Sequence, residues 1–426
     1  MKHTFFALIL YCLLACQQHQ LCAQFTSDEA LDYCASQIDR AMTTLKNSTG
    51  GYDYSMEPRN ILTGDSVWNC RKASEQEWCS GFWPGILWMD YSYLERRGAS
   101  DEEKLFIRRQ AEGYTEALSF LGSQSVYDHD LGFLVINSFL KGYEATGNEE
   151  YKRIALAAAD SLATLYNNKV GTILSWPRHV KDYGGHNTIM DNMINLELLF
   201  WADSVRRSEN GNRNYALGSS VKSVNSRLYD IAVSHADTTM RYHFRPDGSC
   251  YHVAVYDTLT GHFIKGMTHQ GYADSSMWSR GQSWAIYGYT MVYRYTHEQR
   301  FLRHAQKVTD IYLKRLKQTS DDMIPLWDMD DPRGLKAPKD ASAACVVASA
   351  LLELSQYVDK GKAQTYRTAA MDMLRDLNSS NYQSREKNVA FLMHSTGHHP
   401  AGSEIDASII YADYYYLEAL LRSKNL

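Results

Sequence analysis

Six stretches of this chain open on a small or acidic residue and then run apolar with helical period. They begin at Gly81 (GFWPGILWMDYSYL), Asp130 (DLGFLVINSFLKGYEA), Asp191 (DNMINLELLFWA), Gly281 (GQSWAIYGYTMVYRY), Asp340 (DASAACVVASALLEL) and Asp406 (DASIIYADYYYLEALL). The intervals are 49, 61, 90, 59 and 66 residues, each enough for one helix pair with its loops. Three stretches end alike. Tyr143 to Tyr151 and Tyr293 to Phe301 share Tyr, Thr and aromatic offsets, and Tyr93 to Gly98 with Leu105 is a looser copy. Each reads as a helix end, a short turn and a new helix. Between them lie amphipathic segments such as Tyr151 to Tyr166, with Ile154, Ala158, Leu162 and Leu165 on one face.

Helices apolar all round must be surrounded, and amphipathic ones can do the surrounding. Six such pairs predict an all-α fold, the closed (α/α)6 barrel, with apolar helices inside. The inner helices then start at one end, so Asp130, Asp191, Gly281, Asp340 and Asp406 converge on one mouth, where the positive ends of the helix dipoles also point. The 90-residue interval contains Tyr242 to Met267, where apolar and polar residues alternate around Pro246-Asp247-Gly248 and Leu259-Thr260-Gly261. That predicts a small β-hairpin beside the mouth. No Gly/Ser-rich linker divides the chain, so residues 24–426 are expected to form a single domain. Only 8 prolines in 426 residues, under half the roughly 5% average, agree with helices.

Lys2 and His3 precede an apolar run from Phe5 to Ala15, the length of a signal-peptide core and too short to span a bilayer. Residues 1–23 are expected to be an export signal, with cleavage after Leu21-Cys22-Ala23. The alternative is a lipoprotein signal, Leu13-Leu14-Ala15, with a lipid anchor on Cys16. Either places the chain outside the cytoplasm, in the periplasm or on a membrane surface, with no membrane span. The rest holds Cys34, Cys70, Cys79, Cys250 and Cys345, without Cys-x-x-Cys or zinc spacing. Cys70 and Cys79 could pair, but free buried thiols are the favoured reading. Net charge is −5, with no long block of one sign, which argues against a nucleic-acid partner. A mean hydropathy of −0.42 argues against a membrane-embedded chain.

An Asp that opens a helix is usually an N-cap, and Asp340 and Asp406 are read that way. Asp130 and Asp191 have richer company. Asp130 follows Asp128-His129, and Asp191 follows Trp176-Pro177-Arg178-His179 and Gly184-Gly185-His186. Polar residues dense at the top of apolar helices break the local rule, which is where function is expected. Two carboxylates facing one pocket can perform acid/base chemistry on a sugar, if one of them holds a proton. A second cluster runs from Thr268-His269-Gln270 to Trp278-Ser279-Arg280 and Trp284. A cation at the positive end of a helix is disfavoured, so Arg280 is expected to meet an anionic ligand, the alternative being a neighbouring Asp. Trp278 and Trp284 could wall a sugar site. The lone His252 and His304 are read as structural, and His398, in the loop before Glu404, as a residue that could touch substrate. No nucleophile elbow, phosphate loop, dinucleotide fingerprint or metalloprotease motif is present, and neither metal nor other cofactor is called for.

The segments HDLGF (His129 to Phe133), MDNMINLELLFWA (Met190 to Ala202), HADTTMRYHFRPDGS (His235 to Ser249), THQGYADSSMWSRGQSWAIYGY (Thr268 to Tyr289) and EIDASIIYADYYYLEALLR (Glu404 to Arg422) resemble glycoside hydrolase family 88, the unsaturated glucuronyl hydrolases. The resemblance runs in order from about Trp78 to the C-terminus. Family 105, on unsaturated rhamnogalacturonan fragments, shares the toroid but differs around WSRGQSWAIYG and is the runner-up. A glycan-binding lipoprotein without catalysis is the rival of another class. The resemblance implies hydration of the C4=C5 bond of an unsaturated uronic acid, followed by release of the neighbouring sugar. It implies Asp191 as general acid/base, Asp130 as its helper, sugar contacts at His129, His235, Gln270, Arg280 and Trp284, and stacking by Trp83 and Trp176. The Ser/Lys pattern some members use for sulfated substrates is not clear here; Ser395 to Pro400 stands in roughly that place.

Overall fold

The structure is a computed structural model that describes residues 25–217 and 227–424. The expected export signal at residues 1–23, Cys16 included, lies outside the described residues. No described helix is long and apolar enough to cross a membrane.

Six helix pairs make the ring. The inner helices are α2 (Phe82–Arg97), α4, α6 (Asn192–Leu217), α8 (Ser279–Thr296), α10 (Ala341–Leu354) and α12 (Ile410–Ser423). Helix α4 runs as Leu131–Val135, a π turn at Ile136–Leu140, and Lys141–Thr146. The outer helices are α1 (Ser27–Thr44), α3 (Asp101–Glu116), α5 (Glu149–Ala163), α7 (Arg227–Tyr242), α9 (Gln299–Thr319) and α11 (Lys360–Leu377). Each inner helix packs on the next, and α12 closes the circle on α2. Every residue of α10 is buried, from Ala341 to Leu354. Helix α9 buries one stripe (Phe301, Leu302, Ala305, Val308, Tyr312, Leu316). That is the division of labour expected of inner and outer layers.

The turns match the repeat. Gly98 ends α2 and Gly147 ends α4, both left-handed, and His297 adopts the same conformation after α8 (φ 54°). Ser100 and Glu103 form a capping box at the start of α3. The proposed starts are right to within one residue for α2, α4, α6 and α10. Two need correction. Helix α8 begins at Ser279, two residues before Gly281. Asp406 is no cap: helix α12 begins at Ile410, and Asp406 lies before it with φ 56°, its carboxylate bonded to His394 Nδ1. Asp340 does cap α10, accepting from Ser342 N.

Small sheets decorate the mouth. Strands β1 (Met56–Ile61) and β2 (Asn69–Lys72) pair antiparallel, and β3 (Tyr166–Asn167) pairs with β4 (Thr172–Ile173). The expected hairpin is present as β6 (Val253–Tyr256) and β7 (Phe263–Met267), but a third strand, β5 (His186–Ile189), joins β6 from the other side. A two-residue strand, β8 (Ser408–Ile409), adds to β1. Cys34, Cys70, Cys79, Cys250 and Cys345 are all unpaired.

Inner helices approach one another closely where a side chain is missing. A Cβ on Gly288 of α8 would lie 2.6 Å from Met193 Cβ on α6. Gly288→Ala is therefore expected to cost about 1–3 kcal/mol through overpacking. Chemical denaturation should show a lower midpoint at unchanged slope.

Candidate active site

The two expected carboxylates meet at the mouth. Asp130 is the residue before α4, and its amide bonds to Asp128 Oδ1 at 2.9 Å. Asp191 immediately precedes α6 and is placed by the sheet. Strand β5 pairs with β6 from His186↔Tyr256 to Ile189↔Val253, and Met190 N continues the ladder to His252 O at 3.0 Å. The chain then turns into α6 with Asp191 beside His252, whose Nε2 lies 3.5 Å from Asp191 Oδ2. Between the aspartates stands His129, whose Nε2 is 3.3 Å from Asp130 Oδ1. Its Nδ1 bonds to Ser175 O at 3.0 Å. Ser175 is braced in turn, its hydroxyl accepting from Ile189 N and from the Asn192 side chain.

The two acids have opposite electrostatics. Burial raises the Asp130 carboxyl well above the usual range, and the charges of Asp128 and Asp191 add to it against the weaker pull of Arg178 and Arg59. Burial would raise Asp191 too, but the His252 ring beside it, with His129 and Arg280, outweighs that and holds it below the ordinary value. The environments of the two acids thus push them in opposite directions. That is the condition acid/base work requires.

A wall of rings surrounds the pair. Trp176 has His129 (6.1 Å), His252 (6.0 Å), His179 (5.7 Å) and His269 (5.0 Å) around it. Trp278 lies 4.4 Å from His252. His398 joins through His269, by ring contact at 4.8 Å and by Nε2 to His269 O at 3.1 Å. Gln270 is at the same rim, its amide bonding to His252 Nδ1 and its side chain to Gly397 O. Five expected contacts, His129, Trp176, Gln270, Trp278 and His398, are therefore brought together with the two acids.

Four expectations change. Trp83 is wholly buried and meets Tyr114 of outer helix α3, so its ring faces away from the mouth. Trp284 is also wholly buried: it lies on the ring axis between Phe133 of α4 and Tyr415 of α12, a floor beneath the acids rather than a wall. His235 is buried on outer helix α7, where its Nδ1 accepts the Ile173 amide. Arg280 meets an Asp, not an open site: Nη1 bonds to Asp340 Oδ2 at 2.7 Å, and the guanidinium also holds Thr396 O and Gly397 O. A cation at a helix start is tolerated because Asp340, capping the next helix, neutralises it.

Sequence reasoning set His252 aside, and placed His269 in the second cluster without giving it a role. For His252 the signal was pairing, not motif: it faces Asp191, 61 residues away, only because strands β5 and β6 lie side by side. The donor atoms of Asp128, His129 and Asp130 lie within 4.8 Å of one another. Asp128 is committed to Arg178 and the Asp130 amide, and His129 Nδ1 to Ser175, so the trio is not an open ligand set. A cleft of about 590 Å³ lined by Lys336, Tyr382, Lys387, His394 and Asp406 contains none of these site residues.

The family model for Glycosyl Hydrolase Family 88 matches residues 55–422. The chain belongs to family 88. It is 40% identical over 374 residues to an unsaturated glucuronyl hydrolase of Formosa agariphila, covering 87% of this chain and 85% of the relative. It is 32% identical over 357 residues to an unsaturated chondroitin disaccharide hydrolase of Streptococcus pyogenes serotype M1, covering 81% of each. Among solved structures, an unsaturated glucuronyl hydrolase specific for heparin superposes with a TM-score of 0.79 at 35% identity, over 94% of this chain and 97% of that one. As a family 88 member the chain is a glycoside hydrolase, and the (α/α)6 toroid expected from its repeat is the fold of its structural neighbours.

Burial separates the tryptophans by role. Trp176→Ala should raise KM up to about tenfold, the worth of one stacking contact. Trp83→Phe should leave KM unchanged and lower thermal stability. Steady-state kinetics beside a melting curve checks both.

Proposed function

We propose that this hydrolase removes a 4,5-unsaturated uronic acid from the non-reducing end of glycosaminoglycan fragments generated by lyases. The observation that carries this reading is the pair of acids at the starts of adjacent inner helices, one raised by burial and the other lowered by the histidine beside it. The names of the relatives support the substrate class, as unsaturated glucuronyl and unsaturated chondroitin disaccharide hydrolases. The reaction adds water across C4=C5: C4 receives a proton, C5 receives the water oxygen, and the resulting hemiketal opens to release the next sugar. Positive charge builds at C5 and the ring oxygen, where an ionised Asp191 would stabilise it. Trp176 offers its ring to the sugar, Trp278 backs His252 from beneath Arg280, and His269 and His398 line the rim. Residues 1–23 fit an export signal, which would place the enzyme where extracellular lyase products arrive.

Loss of the alkene absorbance follows the reaction directly. Asp191→Asn should lower kcat by at least about 10²-fold, the usual worth of general acid/base catalysis, with an unchanged fold by circular dichroism. Full activity in that variant would remove Asp191 from the chemistry. Turnover of chondroitin-, hyaluronan-, heparin- and rhamnogalacturonan-derived unsaturated disaccharides, with saturated counterparts as controls, tests the substrate. Faster turnover of the rhamnogalacturonan product, or of the saturated sugars, would overturn the reading.

A further inference from the structure

A second opening lies beside the mouth, and one hairpin separates the two. Residues 395–407 fold back on themselves through the Ser395↔Ala407 and His398↔Ser403 bridges. The hairpin is anchored at the start of α10, where Ala341 N bonds to His394 O and the Thr396 hydroxyl to Lys339 O. His398, near its tip, meets His269 in the mouth. His394, at its base, lines the cleft of about 590 Å³. A further cleft of about 300 Å³ shares Lys387, His394 and Asp406 with the first and continues to the β1–β2 turn at residues 62–66. Together they form one groove, on the same end of the ring as the acids.

The groove is polar, and two of its cations are free. Lys336, from the turn before α10, and Lys387, from the segment after α11, are exposed, and neither side chain has an ion pair or hydrogen bond among the described residues. The third lysine on the wall, Lys339, is spent on Ser320, Asp321 and Asp322. Two carboxylates also line the groove. Asp406 accepts from His394 Nδ1 at 2.5 Å, and Asp65, at the far end, accepts from Asn69. With Nδ1 so engaged, the other ring nitrogen of His394 is left for a ligand.

His394 and Asp406 are held there against backbone preference. Both are left-handed, at φ 63° and 56°. Of the five non-glycine residues in that conformation among the described residues, four fall between Arg385 and Asp406, and the fifth, His297, ends a helix. Strain of this kind persists where the surroundings enforce it, and it gathers at sites that clamp ligands. Tyr382 is a further brace, edge-on to His394 at 5.8 Å with its own hydroxyl tied to Asp322.

We infer that this groove is a second binding site, for an anionic oligosaccharide, with Lys336 and Lys387 meeting its sulfate or carboxylate groups and the His394–Asp406 pair its hydroxyls. Cations beside acceptors suit a ligand that carries negative charges and hydroxyls together, whereas Asp406 repels a bare anion. The larger cleft alone is within the usual range of ligand pockets, about 300–1,000 Å³. Its extension suits a chain longer than the disaccharide that the reaction needs. The class of chain rests on the proposed function; the groove does not. A chain held here keeps its end near the mouth and raises the local concentration of substrate.

The test is titration calorimetry of the full chain with a saturated chondroitin sulfate hexasaccharide, which has no C4=C5 bond to consume. Binding is expected, and Lys336→Ser combined with Lys387→Ser should raise Kd at least about tenfold through the lost charge-assisted contacts. The same double variant should keep kcat/KM on unsaturated disaccharides within about twofold, as expected of distant, independent sites. Lys46→Ser combined with Lys314→Ser removes the same charge elsewhere on the surface and should leave Kd unchanged. No binding, an unmoved Kd in the first pair, an equal rise in the second, or a parallel loss of kcat/KM would each overturn the inference. Inorganic sulfate titrated alone should bind more weakly than the hexasaccharide. Sulfate binding as tightly would make the groove a site for a free ion and overturn the inference too. The proposed function fails separately: an enzyme idle on every unsaturated disaccharide that still binds the hexasaccharide through the two lysines refutes that function and leaves the groove standing.

Discussion

A helix that is apolar on every side can be kept from water only by enclosing it, and the architecture follows from that constraint. Helix α10 has no exposed residue, so it needs neighbours all round. Inner helices on two sides, the axis on a third and an outer helix on the fourth provide them. Six inner helices close a ring whose walls are mostly apolar. Polar groups are then confined to the ends, and the mouth collects every helix start at once. The axis is sealed by Phe82, Phe133, Trp284, Tyr411 and Tyr415, in ring contact with one another. Above that floor the acids are enclosed enough for burial to shift a carboxyl, while their side chains still reach the surface.

The mouth is assembled by the β5–β6–β7 sheet rather than by the helices. Helix dipoles supply a general preference for negative charge, but two similar carboxylates under similar dipoles would behave alike. The sheet breaks that symmetry. It carries His252 to Asp191, while the loop ending at Ser175 carries a carbonyl to His129. Backbone groups, which cannot change their donor or acceptor character, thereby decide the character of the side chains they touch. The acids end up different although both precede apolar helices of the same kind.

Particular residues show how much could be read in advance. The repeat located four of six inner helix starts to within one residue, because caps and apolar runs are local. Asp130, Asp191, His129, Trp176 and Gln270 were legible as chemically crowded positions. Asp406 failed because an acidic residue before an apolar run looks like a cap whether or not a strand intervenes. Trp83 and Trp284 failed because a helical residue shows its type in sequence but not its face. About half a turn, roughly two residues, separates opposite faces of a helix. His252 was set aside because its partner is 61 residues distant.

What the sequence alone determined is the ring. Apolar period, cap residues and turn glycines act within a few residues of one another, so they are written locally, and the acids at the helix starts came with them. What only the tertiary structure decided is the division of labour at the mouth. Which tryptophan lies among the rings of the mouth, which anion Arg280 satisfies and which aspartate burial raises all depend on contacts between segments far apart in the chain. Those contacts are set by strand pairing and by enclosure, which no local pattern records.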